Sequence, residues 1–121
     1  MINVNKIKQC YAAILHKIGE PLEICKLEVP IIVEGQVLVK ILFSGVCRSQ
    51  VMEIQGGRGG DPWLPHLLGH EGSGIVVEVG EGVTKVQPGD EVILGWIKGD
   101  GIDAAGAKYK SGDKVINSGR V

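Results

Sequence analysis

Short runs of β-branched and aliphatic residues, separated repeatedly by glycine or proline, are the feature that most constrains the fold of this chain. Its 121 residues include 19 glycines and five prolines, which is too many for a helical bundle because both residues interrupt helices. Strands bounded by such turn residues are typical of β-sheet proteins. The sequence therefore predicts a mainly β fold, and its length suits one domain with a modest core.

Apolar alternation and turn residues predict the individual elements. The clearest strand covers residues 36–44, where both faces carry apolar side chains, so we expect both faces to be largely covered. A stretch without glycine or proline, residues 48–54, predicts about two helical turns. We predict further strands at residues 9–16 and 22–29, which would form an opening hairpin, at residues 75–79 and 91–94, and a last one starting at residues 115–116.

Charge and aromatic content argue against several classes of partner. The chain has 13 basic and 14 acidic residues and only five aromatic residues, whereas a nucleic-acid binder is expected to show a basic stripe with aromatic residues between. No stretch is long and apolar enough to span a bilayer, and residues 1–6 lack the apolar core of a signal peptide. We therefore expect a cytoplasmic protein that binds neither nucleic acid nor membranes.

Three residues of metal-binding type define the candidate site. His70 and Glu71 lie in a glycine-rich run, residues 69–74, whose permissive backbone lets the chain turn sharply and approach another segment. Cys47 precedes His70 by 23 positions, and the odd number of cysteines, three, fits a reducing compartment where a thiolate is free to bind metal. Zinc accepts thiolate, imidazole and carboxylate ligands. A zinc site is therefore predicted.

Written as a pattern, residues 69–83 read GHExxGxxxxxGxxV, which resembles the signature of zinc-containing alcohol dehydrogenases of the medium-chain dehydrogenase/reductase family. Residues 45–49 (GVCRS) and 88–92 (PGDEV) also occur in the family's order, so the resemblance runs from about residue 8 to residue 95. It implies a GroES-like fold, a partly open β-barrel with one or two short helices. It also implies that residues 1–121 form an incomplete zinc-binding catalytic domain, truncated before a Rossmann domain.

The resemblance implies roles for five residues. Cys47 and His70 would bind the catalytic zinc. Glu71 would bind it if the chain follows polyol dehydrogenase relatives, whereas a more distant Cys does so in ethanol-type relatives, so the third ligand stays open. Ser49 fits the hydroxyl residue that starts a proton relay beside the zinc, and Arg48 would contact a cofactor pyrophosphate. In the whole enzyme, zinc would act as a Lewis acid while an alcohol transfers hydride to NAD or NADP.

The chain departs from the family pattern at several positions. Gln50 stands where an Asp commonly orients the zinc-binding His, and Met52 stands where ethanol-type members have the outer His of the relay. Residues 96–118 contain no Cys, so we expect a surface loop or lobe without the four-Cys structural zinc site, and no second zinc. Cys10 and Cys25 are expected to be small apolar core residues.

Three alternatives remain open. A zinc-independent medium-chain reductase, such as a quinone reductase, would share the fold but have no use for Cys47 together with His70. A stand-alone GroES-like binding module would expose an apolar loop, whereas residues 56–62 are not apolar. The third alternative is a natural small metal-binding protein. Trp63 and Trp96 are candidates to line a pocket.

No Gly-x-Gly-x-x-Gly stands between a predicted strand and a predicted helix. We therefore expect the chain alone to be inactive as a dehydrogenase. For the longer enzyme, the resemblance implies a small alcohol or aldehyde as substrate and a homo-oligomer formed through the missing domain.

Overall fold

The computed structural model describes residues 8–118, which form a mainly β structure with one helix. The predicted fold class is therefore confirmed, whereas the expectation for residues 1–6 lies outside the described part. No helix among these residues has the length and apolarity needed to cross a membrane. The elements in chain order are β1 (Gln9–Leu15), β2 (Glu23–Glu28), β3 (Val37–Ser44), α1 (Arg48–Ile54), β4 (His66–Leu67), β5 (Gly72–Val79), β6 (Glu91–Leu94), β7 (Lys108–Ser111) and β8 (Lys114–Asn117).

Five strands close into a barrel in the order β1-β2-β7-β8-β4. The predicted opening hairpin is confirmed, since β1 and β2 pair antiparallel. Strand alternation turns every second side chain inward, and the core cluster inside the barrel consists of Ile14, Leu27 and Ile116, each at most 1% exposed. Cys10 and Cys25 pack against this cluster, as predicted for small core residues. The barrel therefore encloses its own hydrophobic core.

The other three long strands form a separate open sheet in the order β3-β5-β6. β3 runs antiparallel to β5, from the pair Val37↔Val79 to the pair Ser44↔Gly72. The second half of β3 is exposed, with Phe43 at 75%. The expectation that both faces of this strand would be covered is wrong, because nothing among residues 8–118 packs over this end of the sheet.

Residues 96–118, predicted to be a surface loop or lobe, contain a hairpin that completes the barrel. β7 pairs with β8, and this pairing places Tyr109 opposite the fully buried Ile116. The sequence Lys-Tyr-Lys-Ser of β7 has one apolar residue, too few for the alternation to be recognised. The first part of the stretch, residues 96–103, is exposed, and Ile102 packs closely against Gly35.

Candidate metal centre

The pairing of β3 with β5 brings the two predicted ligand segments together. Ser44 at the end of β3 pairs with Gly72 at the start of β5, so Cys47 and His70 both lie just beyond this pair. The backbone N–H of Gly45 donates to the carbonyl oxygen of Glu71 over 3.0 Å. Residues far apart in sequence thereby become neighbours in space.

Cys47, His70 and Glu71 form one cluster, in which a ligand atom of each residue lies within 4.8 Å of the other two. The Nε2 atom of His70 is 3.7 Å from the Oε1 atom of Glu71. A tetrahedron with zinc–ligand bonds of 2.0–2.3 Å has ligand–ligand distances of about 3.3–3.8 Å. The His70 side chain is 17% exposed and that of Glu71 is 48% exposed. The three donors therefore suit one zinc ion and leave a side open for a fourth ligand.

Two glycines allow the segments to approach this closely. A Cβ at Gly45 would collide with the carboxylate of Glu71 and lie 3.0 Å from its Cβ. Gly69 has φ of 126°, which side chains of L residues rarely adopt, and His70 follows this turn directly. The permissive backbone predicted for residues 69–74 is thus required at Gly69, and Gly45 is a further position where the close approach needs a glycine.

The first turn of α1 surrounds the sulfur of Cys47. This residue caps the helix with extended backbone angles, φ −110° and ψ 150°. The hydroxyl of Ser49 donates a hydrogen bond to the Cys47 sulfur over 3.2 Å. Arg48, the first helical residue, is exposed. Ser49 therefore contacts the cluster through Cys47, and Arg48 lies next to it in the chain.

Gln50 contacts the two ligand segments in a way that the family pattern does not predict. Its Oε1 atom accepts the backbone N–H of Cys47 over 2.6 Å. Its Nε2 atom lies beside Gly69, 3.2 Å from where a Cβ would stand. The Gln50 side chain therefore fixes the backbone of Cys47, whereas the resemblance had suggested a position that orients His70.

A cavity of about 490 Å³ opens beside the cluster. Its polar lining residues are His70, Glu71, Ser44 and Ser118, and Trp96, which is 76% exposed, also lines it. Trp63, the other candidate for pocket lining, is not among the residues that line this cavity. A cleft lined by both polar and apolar residues suits a small molecule that combines a polar group with a hydrocarbon part. The further apolar lining residues are Ile41, Leu67, Leu68 and Leu94.

Sequence reasoning missed a buried pair in the segment that leads to His70. The Nδ1 atom of His66 lies 3.0 Å from the Oδ2 atom of Asp61, and neither side chain is exposed. The Oδ1 atom of Asp61 accepts the backbone N–H of Trp63 over 2.8 Å. The available signal was the pair of polar residues around Pro62 and Pro65, where turn formation was the simpler interpretation.

Comparison with known proteins places the chain in a family. Residues 33–119 match the alcohol dehydrogenase GroES-like domain. The chain is 50% identical over 84 residues to S-(hydroxymethyl)glutathione dehydrogenase from a Synechocystis species, an alignment that covers 68% of this chain and 22% of that protein. This chain therefore spans less than a quarter of the length of that relative.

Two solved structures are similar as well. One is a thermostable alcohol dehydrogenase from Pyrobaculum aerophilum with cobalt and zinc bound, at 33% identity and a TM-score of 0.63, covering 71% of this chain and 26% of that one. The other is a candidate zinc-binding dehydrogenase from Sinorhizobium meliloti bound to NADP, at 30% identity and a TM-score of 0.61, covering 69% and 24%. The family match extends over most of the chain and confirms the predicted resemblance. The chain belongs to the alcohol dehydrogenase GroES-like domain family.

Proposed function

We propose that this chain is the zinc-binding part of the catalytic domain of an NAD- or NADP-dependent alcohol dehydrogenase. The observation that carries the proposal is the convergence of Cys47, His70 and Glu71 at the paired ends of β3 and β5. The relatives that carry dehydrogenase names support it. Residues 8–118 contain no βαβ unit for a dinucleotide, so hydride transfer would require further parts of the protein.

The donor set fits zinc. Cys47 would supply a thiolate, His70 an imidazole and Glu71 a carboxylate oxygen, which leaves the fourth position of a catalytic site open toward the cavity. When bound there, zinc supplies Lewis acidity to a substrate oxygen. The Glu71 carboxylate lies within 4.8 Å of the other two ligand atoms, which places it within reach of the same metal ion as the third ligand.

The other residues of the site would position the substrate and take up its proton. The Ser49 hydroxyl stands 3.2 Å from the Cys47 sulfur, a place from which it would accept the proton of a substrate hydroxyl and pass it to water. Met52 carries no titratable group and is 40% exposed, so the proton would leave through solvent. Trp96 and the apolar cavity wall would hold the hydrocarbon part of a small alcohol or aldehyde. The exposed Arg48 would contact the cofactor pyrophosphate.

The state of the three cysteines bears on the cellular location of the protein and on the alternative that it is a zinc-independent reductase. All three are free in the structure, which supports a reducing compartment and hence the proposed cytoplasmic location. A zinc-independent reductase would have the same strands but no requirement for a thiolate, an imidazole and a carboxylate in one cluster. Metal binding therefore distinguishes the two functions.

The proposal is tested by the zinc content and zinc affinity of the chain and of the variants Cys47→Ser and His70→Ala. We expect each variant to bind zinc at this site at least about tenfold more weakly than the wild-type chain, so that at limiting zinc it retains up to one equivalent less. Glu71→Gln tests the third ligand by the same measurement. Cys10→Ser removes a thiol far from the cluster and serves as the control. Unchanged zinc binding in both Cys47→Ser and His70→Ala would contradict the proposed site.

A further inference from the structure

A second set of metal-ligating side chains lies at one end of the barrel. His16, Glu23 and Cys25 each offer a ligand atom within 4.8 Å of the other two. The Nε2 atom of His16 is 3.5 Å from the Oε2 atom of Glu23 and 3.7 Å from the sulfur of Cys25. Both distances fall within the range of about 3.3–3.8 Å for two ligands of one tetrahedral zinc ion. The three atoms are therefore spaced for a metal before any side chain moves.

The register of the β1–β2 hairpin explains why these residues meet. Ile14 of β1 pairs with Glu23 of β2, and the next pair along the same face is Ala12 with Cys25. Side chains of paired residues, and of residues two apart on a strand, point to the same face. Glu23 and Cys25 therefore lie on the inward face with Ile14, and His16 continues this alternation just beyond the end of β1. The three side chains converge at the mouth of the barrel.

Burial is graded across the cluster. Cys25 packs against the barrel core, the His16 side chain is 26% exposed, and that of Glu23 is 71% exposed. A cavity of about 290 Å³ adjoins His16 and is also lined by Pro65, Lys114 and Val115. The sulfur thus lies at the base of the site and the carboxylate at its rim, where the exposure of Glu23 leaves that side open to water as a fourth ligand.

We propose that His16, Glu23 and Cys25 form a second zinc site, separate from the Cys47 cluster, that links β1 to β2 at the mouth of the barrel. The thiolate selects zinc over magnesium or calcium, which prefer oxygen ligands. The sequence expectation of no second zinc rested on the lack of Cys in residues 96–118. It did not consider ligands that only strand pairing brings together.

Cobalt binding in a Cys47→Ser background tests the site without contribution from the first cluster. We expect this variant to bind one equivalent of Co²⁺ with the strong absorbance of a thiolate–cobalt bond, and the added change Cys25→Ser to remove that absorbance. Cys10→Ser in the same background is the matched control and should keep it. Absence of metal binding in Cys47→Ser, or the same absorbance after Cys25→Ser, overturns the proposal.

Cys25 packs against the core, so its substitution also affects folding. Substitutions at the more exposed His16 and Glu23 remove a ligand without disturbing the core. Excess Zn²⁺ should raise the Tm of the Cys47→Ser chain by at least about 4 °C. His16→Gln or Glu23→Gln in this background should retain the metal-free Tm and lose most of that rise. An equal rise in both variants, or none in the Cys47→Ser chain, contradicts the second site and leaves the Cys47 cluster untouched.

Discussion

The barrel and the three-stranded sheet differ in how far they bury their apolar side chains. In the barrel, Ile14, Leu27 and Ile116 are at most 1% exposed. In the sheet, Phe43 is 75% exposed and Ile93 is 88% exposed. Because removal of apolar surface from water is the main source of folding stability, the barrel is stabilised by its own core, whereas this part of the sheet gains little from its apolar residues.

This difference shows that the barrel provides stability, whereas the sheet positions the candidate site. The pairing of β3 with β5 sets the positions of Cys47 and His70, and Ile41 and Leu94 of the sheet, 49% and 39% exposed, line the cavity together with His70. The exposure that leaves the sheet with little core of its own gives a small molecule access to the candidate metal centre. The barrel core stabilises the fold. The proposed second zinc would stabilise only the end of the barrel at which His16, Glu23 and Cys25 lie.

Matched substitutions of isoleucine should produce the largest difference between the two regions. Ile116→Ala removes buried side-chain atoms from the barrel core and should lower the free energy of unfolding by about 2–5 kcal/mol. Ile93→Ala makes the same chemical change at a side chain that is 88% exposed, so its effect should stay within about 0.5 kcal/mol. Urea unfolding of both variants measures the two values. Similar losses in both would break the comparison.

Much of the architecture is predictable from local sequence. The helix at residues 48–54 and the strand at residues 91–94 have the predicted bounds, because turn residues flank them. β4 and β7 were missed, since they are two and four residues long and become strands only through distant partners such as the pair His66↔Asn117. Alternation also shows which faces are apolar but not what covers them, and this explains the wrong expectation for β3.

The candidate site, too, was predictable from local sequence only in part. Residue type and motif pointed to Cys47 and His70, and the structure places both in one cluster. The contact of Gln50 with Cys47 depends on helix capping geometry. The approach of His16 to Cys25 depends on hairpin register and on the position of the chain just after β1. Such contacts follow from three-dimensional pairing, which no local pattern records.

Crowding between β3 and β5 should give an intermediate effect. A Cβ at the buried Gly74 would collide with the backbone carbonyl of Lys40, and backbone on both strands would have to shift. Gly74→Ala should therefore lower the free energy of unfolding by about 1–3 kcal/mol and weaken zinc binding at Cys47. Gly95→Ala, where no atom lies within 4 Å of the added Cβ, is the control with an expected effect within about 0.5 kcal/mol. Equal behaviour of the two variants would show that the close pairing of the sheet does not limit its stability.

The smallest effect concerns two ionisable groups beside the barrel core. Burial raises the pKa of the Cys10 thiol. The pKa of the Tyr109 hydroxyl is raised mainly by burial and to a smaller extent by the charge of Cys10. As pH rises, the unfolded chain loses these protons first, so the folded chain then binds more protons than the unfolded chain and the free energy of unfolding falls. Their contribution is fully present below the ordinary pKa values and is lost as pH rises through the raised ones.

Tyr109→Phe should therefore reduce the alkaline loss of stability. Urea unfolding at a series of pH values, from neutral to well above about pH 10, measures this loss in the wild-type chain and in the variant. Tyr11→Phe removes the same hydroxyl from a ring that is 73% exposed and controls for the substitution itself. If Tyr109→Phe loses stability with pH as steeply as the wild-type chain and Tyr11→Phe, the alkaline sensitivity does not arise at this position in the barrel. A shallower loss in Tyr109→Phe but not in Tyr11→Phe would assign it to the buried phenol, because ionisation of Tyr109 places a charge beside the enclosed core, whereas ionisation of the exposed Tyr11 does not.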